Sequence, residues 1–127
     1  MEFSDVIKNR YSCKKFSSEQ IGKDKLDAIL EAGRVAPTAK NLQEQHIYVV
    51  QSESALETID KLTPCRYNAP TVLIVAFNKN NVFTYPGDKR NSGIEDATIV
   101  ATHLMLAAYN EGVDSCWINF LNPDELA

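Results

Sequence analysis

The stretch between Ser92 and Gly112 constrains this chain more than any other. Ile94, Ala97, Ile99, Val100, Ala101, Leu104, Met105, Leu106, Ala107 and Ala108 are apolar around most of a helix's circumference. A surface helix carries one apolar stripe, whereas a helix that is apolar nearly all round has to be covered on several sides. Ser92 and Glu95 form an S-x-x-E capping box at its start, and Gly112 is placed to end it as the C′ residue. With 127 residues the chain is one domain's worth of polypeptide. In so small a domain, a second subunit is one candidate for the extra covering partner.

Other elements fall around this helix. Phe3, Val6 and Ile7, at i, i+3 and i+4, predict a short opening helix. Leu26, Ile29, Leu30 and Gly33 mark one face of a second, which Pro37 stops. Ile47 to Val50 reads as a short strand, and Ser52 caps a third helix carrying Leu56, Ile59 and Leu62. Thr71 to Phe77 lacks alternation and so predicts a strand buried on both faces. Asn78 to Asn91 is a polar loop turning at Pro86-Gly87, and Cys116-Trp117-Ile118 predicts a third strand. Asn122-Pro123-Asp124-Glu125 is a helix start, with Pro at N1. One turn does not sustain a helix, so the expectation is a single domain over residues 1–127 that lacks a C-terminal segment.

Composition excludes several classes. Hydrophobic residues make up 44% and charged residues 24%, and the formal charge is −4. No basic patch suits the chain to nucleic acid. The longest apolar run, Val72 to Phe77, is too short to cross a bilayer. The start of the chain, Met1 to Asp5, has no basic or apolar leader. Cys13, Cys65 and Cys116 are widely spaced and form no C-x-x-C, and with two histidines they leave no zinc set, so no metal site is expected. Reduced, mostly buried thiols in a cytoplasmic protein are the plain expectation.

No nucleophile–base–acid set stands out. His103 reads as a hydrogen-bonded core residue, His46 as a surface residue at a strand end, and no G-x-S-x-G or phosphate-cradling glycine motif is present. That favours chemistry borne by a cofactor, or none. Two polar segments remain. Arg10-x-Ser12-x-Lys14 places a guanidinium, a hydroxyl and an ammonium on one side of an extended stretch, a row able to grip an anion. Ala36-Pro37-Thr38-Ala39-Lys40-Asn41-Leu42-Gln43 is a loop of small and amide residues that lets a flat ring approach the backbone. Read alone, each is also what an ordinary basic loop and an ordinary connection look like.

Read together, the motifs resemble a family. Arg10-Tyr11-Ser12-Cys13-Lys14-Lys15-Phe16 and Glu31 through Gln43 are similar to the two N-terminal signatures of the FMN-dependent nitroreductases. Ala69-Pro70-Thr71-Val72-Leu73-Ile74-Val75, and Asp96 through Trp117-Ile118, resemble that family's central strand, long helix and closing strand.

The resemblance implies an α+β fold, with an antiparallel or mixed sheet flanked by helices, in an intertwined homodimer with FMN at the subunit interface. Arg10 and Lys14, with Ser12 beside them, would hold the phosphate and the N1/C2 edge of the flavin. Pro37, Thr38, Ala39 and Asn41, with Gln43 as a further candidate, would line the isoalloxazine from the other subunit. Trp117, Ile118 and Asn119 would lie over one ring face near N5. The chain departs from the pattern at Glu44-Gln45, where the family often has Pro-Trp, and at Asn119, where glycine is common. The basic residues that complete the family's phosphate site would lie in the missing C-terminal segment. The implied activity is hydride transfer from NAD(P)H to the flavin and electron transfer to a nitroaromatic or quinone-type small molecule, by a ping-pong route. The alternative is a dimeric member that binds a flavin or another flat ligand without turnover.

Overall fold

The computed structural model describes residues 1–127. Five helices and two strands follow in the order α1 (Phe3–Asn9), α2 (Lys23–Arg34), β1 (Gln45–Val50), α3 (Glu53–Leu62), β2 (Val72–Phe77), α4 (Gly93–Asn110) and α5 (Pro123–Leu126). The strands pair antiparallel, Gln45 opposite Phe77 and Val50 opposite Val72. Helix α4 packs on α2 and across the sheet, so the domain has an α+β architecture with its core along α4.

Asp96, Val100, Leu104 and Ala108 form the buried stripe of α4, each one turn beyond the last. Val100, Leu104 and Ala108 join Ile29 and Ala36 in the central cluster, and Ile47, Leu73 and Val75 pack onto it from the sheet. The rest of α4's apolar circumference is only half covered by the chain itself, and Ile94 is 75% exposed. On α1 only Val6 is buried; Phe3 and Ile7 are exposed, although the periodicity placed all three on one face.

The helix ends are instructive. α4 stops in a Schellman arrangement, with the Gly112 N–H donating to the Tyr109 carbonyl and the Val113 N–H to that of Ala108. Gly112 adopts φ +76°, which glycine takes without steric cost. Ser52 caps α3 as expected, its side chain accepting from the Ala55 N–H. Asn122 does the same for α5 through the Asp124 N–H.

The capping box expected at Ser92 does not form. Ser92 has φ −87° and ψ 5°, not the extended geometry of a capping residue, and its hydroxyl donates to Asp96 at 2.6 Å. Asn91 instead accepts from the Gly93 N–H at 3.0 Å.

Two strand expectations are also corrected. β2 is half-buried along its whole length rather than buried on both faces, because in a two-stranded sheet every strand is an edge. Cys116 to Ile118 is not a strand. The segment makes one parallel bridge, Ser115 with Ser12, through a 2.9 Å bond from the Cys13 N–H to the Ser115 carbonyl, and then diverges.

Candidate functional site

That bridge is nonetheless what assembles a site. It brings the Arg10–Lys14 stretch alongside residues 114–120, and the Tyr11 hydroxyl reinforces it by donating to Asp114 at 2.9 Å. The hydrogen bond to Asp114, helped by its charge, raises the Tyr11 pKa. Further along, the Thr63 hydroxyl donates to the Phe120 carbonyl at 2.7 Å and ties the end of the segment to α3.

Between these strands of chain lies a cavity of about 250 Å³. Ser12 and Lys14 form one wall, and Trp117, Ile118 and Asn119 form another. Cys65, Tyr67, Cys116 and Phe120 complete the lining; the sequence had not marked these four as site residues. The turn bearing Tyr67 and Asn68, both in left-handed conformation at φ 53° and 61°, is braced by Arg66. The Arg66 guanidinium grips Asp60 through two 2.7 Å bonds and donates to the Ala69 carbonyl at 2.7 Å. That pairing holds the Asp60 carboxyl below its usual range. No local pattern announces Tyr67, because its position depends on an ion pair between α3 and the following turn.

Arg10 is half-buried, with Nη2 3.4 Å from the Ser12 hydroxyl, and its buried Nε has no partner. Of the Arg10, Ser12 and Lys14 row, Ser12 and Lys14 stand on the cavity wall and Arg10 lies beside Ser12.

The second polar segment lies elsewhere. Pro37, Thr38, Ala39 and Asn41 form a tight turn after α2, and no hydrogen bond joins it to the Arg10 row. Gln43 lines a different cavity, of about 260 Å³, with Leu30, Gly33, Arg34, Gln45 and Ile47. Lys40, Asn41 and Gln43 all have positive φ, between 51° and 55°. Non-glycine residues in this region carry strain and persist only where their surroundings hold them. Here the Ala39 N–H donates to Asp96 at 3.0 Å and the Gln43 N–H to the Thr38 hydroxyl at 3.0 Å. Within one chain, then, Gln43 faces a different cavity from Ser12, Lys14 and Trp117 to Asn119.

The histidines take no part in either cavity. His46 is exposed at the start of β1, as expected. His103 is half-buried on α4 and makes no hydrogen bond, contrary to expectation, because its turn of the helix offers apolar neighbours. The thiols are free, but only Cys13 is buried; Cys65 and Cys116 are half-buried in the cavity wall. No helix is long and apolar enough to cross a membrane.

Comparison with known proteins agrees with this architecture. A protein from Clostridium difficile 630, described as a nitroreductase family protein, superposes with a TM-score of 0.94 at 34% identity, over 99% of this chain and 73% of that one. A nitroreductase with bound FMN from Bacteroides fragilis matches with a TM-score of 0.73 at 28% identity, over 94% of this chain and 70% of that one. A curated relative from Methanothermobacter thermautotrophicus, provisionally named an NADH dehydrogenase/NAD(P)H nitroreductase, is 27% identical over 120 residues. The match covers 92% of this chain, which spans 60% of that relative's length. The sequence pattern of the nitroreductase family matches residues 7–66 and 62–127. From the α1 helix to the last residue, this chain belongs to the nitroreductase family.

Proposed function

We propose that the protein is an FMN-dependent oxidoreductase that takes a hydride from NAD(P)H and passes electrons to nitroaromatic or quinone-type acceptors by a ping-pong route. The observation that carries this reading is the buried, partnerless Nε of Arg10, whose Nη2 lies 3.4 Å from the Ser12 hydroxyl on the wall of a cavity with aromatic lining. A buried donor without a partner is costly, and a bound anion would relieve it. The residues fit FMN: a guanidinium, a hydroxyl and an ammonium suit a phosphate or the polar edge of a flavin, and Trp117 with Ile118 offers apolar surface to a ring face. FMN-dependent relatives and the FMN bound in the Bacteroides fragilis neighbour support the same group.

When bound, FMN would supply the redox chemistry, two-electron transfer between NAD(P)H and a second small molecule. The protein's task is then to bind and orient. Arg10 and Ser12 hold the anionic end, and Lys14 places positive charge where it stabilises negative charge on the ring system. Trp117, Ile118 and Asn119 cover one ring face. Pro37, Thr38, Ala39, Asn41 and Gln43 line the ring from a second copy of the chain, which is why they need not meet the Arg10 row within one subunit. The half-covered flank of α4 and the exposed Phe3, Ile7 and Ile94 support such a homodimer.

The absorbance spectrum of the purified protein tests the reading: flavin bands that bleach on addition of NADH or NADPH support it. Flavin bands that do not bleach favour a dimeric binder without turnover, and a colourless protein that ignores added FMN defeats both. Arg10→Ala is expected to weaken FMN binding at least several-fold, because charged hydrogen bonds contribute roughly 1.5–3 kcal/mol each. Equal affinity in an FMN titration of the mutant and the parent would remove Arg10 from the site.

A further inference from the structure

Beneath the Pro37–Gln43 segment lies a pair of carboxyl groups for which the flavin reading has no use. Glu44 is 2% exposed and Asp96 is 3% exposed. Asp96 accepts from the Ser92 hydroxyl at 2.6 Å and from the Ala39 N–H at 3.0 Å. Both carboxylate oxygens of Glu44 are buried with no donor at hand, and the Asp96 side chain lies within hydrogen-bonding reach of Glu44. Two ionised carboxylates cannot coexist in such a place, but a protonated carboxyl can donate to an ionised one.

We infer that Glu44 and Asp96 share a single proton, held by Glu44 and donated to Asp96, and that this pair positions the Pro37–Gln43 segment. The chain of contacts is short. Asp96 sits on the first turn of α4 and holds the Ala39 N–H, immediately before three consecutive-to-near-consecutive left-handed residues, Lys40, Asn41 and Gln43. Backbone of that kind needs an anchor at each end. Asp96 supplies one; the Glu44 carbonyl, accepting from the Asn78 N–H at 2.8 Å, supplies the other.

The titration follows from the environment. Burial, and then the hydrogen bond with Asp96, pushes the Glu44 pKa up. Burial also acts to raise Asp96, but hydrogen bonds from Glu44, Ser92 and the Ala39 N–H outweigh it and hold Asp96 below the usual range. The charged and titratable groups nearest the pair along the surrounding elements are Lys40 in the segment, His46 on β1, Lys79 after β2 and Glu95 on α4, with Tyr48, His103 and Tyr109 further along β1 and α4. The first four are exposed, and none of the seven bonds to the pair. A raised pKa contributes stability that is lost as pH rises through it, and a lowered one contributes stability that is lost as pH falls through it. The clamp therefore holds between the two values and opens at either side.

The inference does not depend on FMN, and its test reads the segment directly. Carboxyl NMR titration and amide exchange are measured on the parent, Glu44→Gln and Asp96→Asn. Glu44 should titrate above every exposed glutamate, and the Ala39 amide should exchange about tenfold faster or more once Glu44 ionises. In Glu44→Gln the amide N–H replaces the carboxyl proton, so protection of Ala39 should persist and its loss at high pH should vanish. Asp96→Asn should remove the protection at all pH values; if that variant does not fold, the parent and Glu44→Gln decide alone. Glu44 titrating with the exposed glutamates, or Ala39 protection indifferent to its ionisation, would overturn the inference. A protein that shows the titration yet binds no FMN keeps the clamp and loses the flavin reading.

Discussion

Leu104→Ala is expected to lower folding stability by about 2–5 kcal/mol, the range for truncating a buried leucine in a packed core. Leu104 is 5% exposed in the middle of α4 and belongs to the cluster that joins α2, α4 and the sheet. The site is specific because α2 approaches α4 at Gly33. A Cβ at Gly33 would lie 2.8 Å from Leu104 Cδ2, 3.3 Å from its Cγ and 3.0 Å from Ile47 Cδ1. Gly33→Ala alone should therefore be destabilising, its gain in helix propensity outweighed by overpacking. In the Leu104→Ala background two of those three atoms are gone, and the added methyl enters the space they leave. The double mutant should be more stable than the sum of the single changes predicts, which a urea-denaturation cycle measures directly. Strict additivity would mean that the helices do not meet at this point.

A charge at Met105 or Leu106, on the half-covered flank of α4, is expected to have a comparably large effect by another route. If this flank is the centre of a homodimer, as proposed, Met105→Glu or Leu106→Glu leaves an unpaired charge in the interface. Such a charge costs several kcal/mol, a large part of the stability of a domain this size. Dissociation should abolish FMN binding as well, because the ring-lining segment Pro37 to Asn41 would come from the other chain. Light scattering over a dilution series, with the flavin spectrum followed in parallel, checks both effects. A well-folded monomer holding stoichiometric FMN would contradict the shared site.

The candidate site was legible in part, for identifiable reasons. Arg10, Ser12 and Lys14 were visible because alternate residues of an extended stretch share a side whatever lies opposite. Cys65, Tyr67 and Phe120 were not, because they reach the cavity through the Arg66–Asp60 pair and the Thr63–Phe120 bond, contacts between separate elements. Glu44 registered only as a departure from a familiar Pro-Trp pair. Its burial against Asp96 depends on where the first turn of α4 comes to rest.

Features that act over one or two turns of chain could be read from the residues alone. They include the helices observed over Phe3–Asn9, Lys23–Arg34, Glu53–Leu62 and Gly93–Asn110, the caps at Ser52 and Asn122, the Gly112 stop, and the order of motifs that marks the family. These follow from periodicity and local hydrogen bonds, which need no distant partner. The remainder waited on packing. Ser92 gave up its capping role where the Phe83 carbonyl holds its N–H at 2.9 Å and the Asp96 it bonds is itself tied to the distant Ala39 N–H. Cys116 to Ile118 remained irregular because, past Ser12, no strand edge ran beside it. Strand pairing, burial and the sharing of a proton all depend on what stands across the contact, and that is settled only when the elements pack.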